Sequence, residues 1–109
     1  MSGFDNREKA EEGRFALEAE LEFKARARRN RLVGRWAAEK LGLTGAEAEN
    51  YATTIIETDL EEHGDNDVIR KLKADFVAKS VTVSDHQIER TLSEKMQEAR
   101  IQVKAERNK

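Results

Sequence analysis

Apolar residues recur along this chain at intervals of three and four and seldom at intervals of two, so the pattern predicts helices rather than strands. Leu21, Ala25, Leu32, Val33, Trp36 and Ala37 share one helical face, which predicts a first helix from about residue 20 to residue 41, ended by Gly42. Thr44 with Glu47 forms a capping-box pattern that opens a second helix. Its stripe is Ala48, Tyr51, Ala52, Ile55, Ile56 and Leu60, and Gly64 is the expected left-handed terminator. A short third helix follows Asp65 or Asn66 and turns Val68, Ile69, Leu72, Phe76 and Val77 inward. Residues 80–83 alternate polar and apolar but are too few to found a sheet. Ser84 with Gln87 repeats the capping box, and Ile88, Leu92, Met96, Ala99 and Val103 give the fourth helix its inner side, with fraying expected from residue 104 onward.

Four amphipathic helices joined by short connections imply an all-α fold, a four-helix bundle in which Trp36 anchors the core. Residues 1–19 read differently. Their hydrophobes are sparse (Phe4, Phe15, Leu17), Gly3 and Gly13 interrupt them, and no strong apolar face emerges. The expectation is a flexible N-terminal segment, residues 1–19, followed by a helical bundle domain, residues 20–109. Phe4, Glu8, Glu11 and Phe15 nevertheless fall on one side of a helix, a spacing suited to a segment that folds on a partner.

Composition supports this picture. A chain of 109 residues fits one domain with a thin core, and 39% charged against 38% apolar residues suits helices with one wet face. There is no proline to break a helical run and no cysteine for a disulfide or a thiolate metal site. The longest apolar runs are a few residues, far short of the roughly 20 that span a bilayer, and a cytoplasmic location is expected. The net charge of -2 hides segregation. Residues 24–35 hold six basic and no acidic side chains, whereas residues 44–67 hold eight acidic and no basic ones, blocks that complement each other within one chain.

Catalytic arrangements lack their parts. With Gly64 at the sharp turn, the stretch from Asp59 to Asp67 falls near a calcium-loop register, but Arg70 then occupies the position that needs a bidentate carboxylate and His63 replaces an oxygen ligand. His63 and His86 sit at no metal-binding spacing, and neither a glycine-rich phosphate loop nor a nucleophile motif is present. No enzyme activity, metal or cofactor is expected. Arg28, Arg29, Arg31 and Arg35 form a cationic face that invites phosphate, yet a pI near 5.8 argues against nucleic acid and the acidic second helix offers a nearer partner. The arginines read as a protein-contact face, internal or intermolecular, with a weak phosphate or nucleotide contact left open.

Phe4, Asp5, Arg7, Glu8, Ala10, Phe15, Ala16, Glu20, Leu21, the triplet Phe23, Lys24 and Ala25, residues 27–30, residues 36–39, Leu41 and Gly42 occur in an order that resembles the zeta subunit of alphaproteobacterial ATP synthases. Tyr51 with Ala52, His63 with Gly64, Val68, Arg70 with Lys71 and residues 102–106 continue the likeness less distinctively. The resemblance implies an inhibitor of ATP hydrolysis associated with the inner membrane only through the synthase. It implies binding to the catalytic head, built from alpha, beta and gamma subunits, and an N-terminal segment that becomes helical when it inserts at a catalytic interface. Carried over by position, the inhibitory residues are Phe4, Asp5, Arg7, Glu8, Phe15 and Ala16, with Leu17 beside them although its residue type departs from the family. Glu11 stands where a bulky apolar residue can occur, and Gly13 where alanine is expected. Glycine costs about 1 kcal/mol of helix propensity there, so these departures point to a weaker inhibitor. The alternative is a helical adaptor for a protein or a nucleotide without inhibitory action.

Overall fold

The computed structural model describes residues 2–62 and 64–107, with side chains described from residue 16. Four helices follow in order: α1 (Ser2–Lys40), α2 (Gly45–Glu61), α3 (Asp65–Ala78) and α4 (Asp85–Arg107). All-α architecture agrees with the periodicity. α1 is the spine, with α2 and α4 packed against it and α3 bridging those two. The helix expected to start near residue 20 is the C-terminal part of an unbroken one that reaches Ser2. Two glycines lower helix propensity without removing a backbone hydrogen bond, and no proline intervenes.

The main core joins Val33 and Ala37 of α1, Ile55 of α2, Val68, Leu72 and Phe76 of α3, and Ile88 and Leu92 of α4. Trp36 is half-buried at its edge and meets Phe76 edge-on, with ring centroids 5.8 Å apart and an interplanar angle of 87°. Such a pair contributes about 0.5–1.5 kcal/mol beyond its buried area. Val81 and Val83 of the 80–83 connection pack on this core without forming a strand. A smaller cluster, Ala25 with Ala99 and Val103, closed by Leu21, Leu32 and Met96, holds α4 along α1.

Two residues assigned to the interior lie outside it. Leu60 is 57% and Val77 77% exposed. Each stands one helical step, about 100°, beyond the buried residue of its turn, and those positions belong to Asp59 and Phe76. Helix ends also differ in detail. Thr44 is the N-cap of α2 but its side chain makes no capping hydrogen bond. The residue after it, Gly45, has a positive φ of 56°. Gly64 has φ of 137° and ψ of 147°, so it is the N-cap of α3, which starts at Asp65, and not a left-handed terminator of α2. At α4 the Gln87 amide does donate to Ser84 Oγ at 3.1 Å. The helix runs on through Lys104 to Arg107, where fraying was expected.

α1 and α3 end in the same motif. The Leu43 amide donates to the Ala38 carbonyl and the Gly42 amide to that of Glu39, with Gly42 left-handed at φ of 79°. After α3 the Val81 and Ser80 amides reach the Phe76 and Val77 carbonyls in the same way, but the left-handed position is Ser80, with φ of 59°. A side chain with a Cβ there costs about 1–2 kcal/mol of local strain. Ser80→Gly is expected to raise stability by about 0.5–1 kcal/mol after the greater freedom glycine gives the unfolded chain, measured by urea denaturation.

α1 and α2 touch through glycine. A Cβ on Gly34 would lie 2.5 Å from Ala52 Cα and 2.9 Å from its Cβ, both on a helix that cannot yield locally. Gly34→Ala gains about 1 kcal/mol of helix propensity and is still expected to lose about 2 kcal/mol net by forcing the helices apart. Equilibrium unfolding of the variant checks this.

Candidate partner-binding surface

The basic run of α1 divides into residues that build the bundle and residues that face outward. Arg26 forks onto Asp59 of α2, Nε to Oδ2 at 2.6 Å and Nη2 to Oδ1 at 2.8 Å, and Nη2 also reaches Asp65 Oδ1 at 3.2 Å. Arg29 donates from Nη1 to Asp65 Oδ1 at 2.8 Å, and from Nε and Nη2 to Asn30 Oδ1 at 3.1 and 2.8 Å. Asn30 Nδ2 closes the ring on Asp59 Oδ2 at 2.8 Å. Arg29, Asn30 and Asp59 are buried, at 3%, 2% and 5% exposure. No buried side-chain polar atom among the described residues lacks a partner. Burial alone would raise the Asp59 pKa, but hydrogen bonds from Arg26 and Asn30 and the charges of Arg26 and Arg29 hold it below the ordinary carboxylate range.

The rest of the block disperses. Arg28 reaches α4, Nη1 to Gln102 Oε1 and Nη2 to Glu106 Oε2, both at 2.9 Å. Arg35 forks onto Glu49 of α2 at 2.9 and 3.3 Å and, by that hydrogen bond, holds its exposed carboxyl below the ordinary range. Arg31 is exposed, and no carboxylate among the described residues lies within salt-bridge distance of it. Helix α2, the expected partner of the arginines, takes Arg35 and takes Arg26, which was not among them. Arg29 goes to α3 and Arg28 to α4. Outside the block, Tyr51 donates to Asp75 Oδ2 at 2.8 Å, and burial followed by that carboxylate pushes the phenol above its ordinary range.

Phe4, Asp5, Arg7, Glu8 and Phe15, expected from the resemblance to inhibit, have side chains outside the described set, as does Glu11. Ala16 is exposed and Leu17 half-buried on α1. His63 also lies outside the described residues. In the rest of the calcium-like stretch, Asp59 and Asp65 are engaged by arginines of α1 and Asp67 by Arg70. The buried contacts of Arg26 and Asn30 and the close approach at Gly34 were not anticipated from the sequence, although a signal for the first two exists. Residues 26, 30, 33 and 37 fall on one face, so Arg26 and Asn30 interrupt the core stripe of α1, and polar residues there imply buried partners.

Beside these contacts runs an open groove of about 520 Å³ between α1 and α4, floored by Leu32, Val103 and Ile56 of α2, and flanked by Lys24, Arg28, Arg31 and Arg35 on α1 and by Gln102 and Glu106 on α4. Phe23 stands at its rim, 65% exposed. No group of three or more histidine or acidic side chains among the described residues is placed to hold a metal. No helix among them is long and apolar enough to cross a membrane.

Buried polar chemistry clamps the helices together and leaves cations and an aromatic on one open face, which defines a small all-α protein with a surface free for a partner. The sequence model of the ATPase inhibitor subunit zeta matches residues 1–102, and this chain belongs to that family. A protein whose solution structure was determined by NMR has 38% identity and a TM-score of 0.70, and the match covers 79% of this chain and 98% of that one. No curated protein matches this chain.

Proposed function

We propose that this chain binds the catalytic head of the F-type ATP synthase and inhibits ATP hydrolysis there through its N-terminal segment, with the bundle as the anchor. Family membership supports an inhibitory regulatory role. The observation that carries the finer reading is the continuity of α1. Arg107, the end of α4, lies beside Leu17, while α1 continues as helix to Ser2, about 20 Å farther at 1.5 Å per residue. A single helix thus joins the packed core to the segment that carries Phe4 and Phe15.

The test is direct. The purified chain, added to a membrane-detached catalytic head, should co-elute with it in gel filtration and lower its ATPase rate. Binding without inhibition would leave an accessory role. A chain that neither binds the head nor lowers its ATPase rate would discard the proposal.

A further inference from the structure

Resting on that reading, we infer that the groove between α1 and α4 is the anchoring surface, and that its occupant is an acidic helix of the partner with carboxylates spaced along one face and an apolar residue at one end.

Register is the first argument. Lys24, Arg28, Arg31 and Arg35 follow one another at intervals of four, three and four, so they form one stripe about 16 Å long on α1. A helix lying in the groove presents carboxylates at the same intervals. A compact polyphosphate meets only part of such a stripe.

The second argument is the chemistry these cations already accept. Arg28 holds Glu106, Arg35 holds Glu49 and Lys24 holds Glu20, each glutamate half or more exposed. Exposed pairs of this kind contribute about 0–1 kcal/mol each, so a partner carboxylate can replace its internal counterpart at small cost. Arg31 stands between them without such a carboxylate among the described residues.

Third, Phe23 gives the groove an apolar anchor. It is 65% exposed although an aromatic ring gains from burial, and it adjoins the floor made by Leu32, Ile56 and Val103. An exposed aromatic beside arginines matches the composition of binding hot spots.

The experiment compares the intact chain with the Lys24→Glu, Arg31→Glu double variant and with Phe23→Ala. None of these side chains belongs to either core cluster, so thermal melts should be unchanged. Affinity for the detached head should fall at least tenfold in each variant, and binding of the intact chain should weaken with salt. A synthetic helical peptide of about 18 residues, with glutamates spaced four and three apart and one terminal leucine, should shift the amide NMR signals of Phe23, Lys24 and Arg31. Variants that bind the head as well as the intact chain would overturn the inference and leave the proposed function standing. An intact chain that ignores the head but binds the peptide would do the reverse. Stronger shifts with inorganic triphosphate than with the peptide would overturn it in favour of a phosphate site. Dimers in sedimentation that the charge reversal abolishes would overturn it in favour of a second copy of this chain.

Discussion

Asp59→Ala is expected to lower folding stability by about 3 kcal/mol at neutral pH, with a fall in Tm on the order of 15 °C. Asp59 is the acceptor on which Arg26 and Asn30 converge, and Arg29 binds to Asn30 and Asp65 beside it. Removing the carboxylate leaves Arg29, 3% exposed, next to an Asn30 amide without its acceptor. Breaking a buried pair on one side typically costs 3–5 kcal/mol, because the remaining charge is desolvated and unpaired. Arg26 is 38% exposed and can turn to water or to Asp65, which sets the figure at the lower end. The groups facing Asp59 are Arg26 and Arg29 from α1 and Asp65 from α3, so cations dominate its surroundings. Its native pKa is depressed from 3.8. Its contribution is therefore full above about pH 4 and is lost as the pH falls through the native value. Glu22, lowered by its hydrogen bond from Arg100, acts in the same direction at the surface. Glu62 is raised by its hydrogen bond to Asp67 and acts in the opposite sense, its contribution fading as the pH rises through its raised value. The difference between the intact chain and Asp59→Ala should accordingly narrow below pH 4. Urea denaturation at pH 7 and at pH 3 measures it. A difference under about 1 kcal/mol at pH 7 would show that the network contributes geometry rather than stability.

The bundle was legible because burial in helices leaves a 3.6-residue imprint. Val33, Ala37, Ile55, Val68, Leu72, Phe76, Ile88, Leu92, Ala99 and Val103 are all buried, as their spacing predicts. Periodicity locates a face to within about one residue, and Leu60 and Val77 show that margin. In α2 the missing residue was Asp59, a charged side chain that reads as solvated until three donors are brought to it by other parts of the chain. Pairings between helices depend on their rotation and crossing, which no single-helix pattern contains. This is why the division of the arginine block among α2, α3 and α4 was not legible in the sequence. Gly34 was silent for a related reason. A mid-helix glycine reads as a cost, and only the position of Ala52 shows that the two backbones meet there.

Deleting residues 1–19 is expected to abolish inhibition of ATP hydrolysis while leaving the bundle folded. Among the residues with described side chains, core packing begins after that segment, since Leu21 and Ala25 are the first of α1 in either cluster and the Asp59 network lies farther along. Circular dichroism and thermal melting of the truncated chain should therefore show a cooperative helical domain. If the groove anchors the body, the truncated chain should still bind the head, with blocking and holding separated into two parts of one helix. Within the segment, Phe15→Ala removes its most C-terminal aromatic group. Burial of such a ring is worth about 1.5–3 kcal/mol, so inhibitory affinity should fall by about tenfold or more. Gly13→Ala should act oppositely. It removes about 1 kcal/mol of helix cost where the bound form is helical, and inhibition should strengthen by up to about fivefold. The two substitutions differ in a second readout, because Gly13→Ala should also increase the helix content of the free chain whereas Phe15→Ala should not. A truncated chain that inhibits as well as the intact one would move the inhibitory surface to the bundle, and the basic groove would then be the first place to mutate.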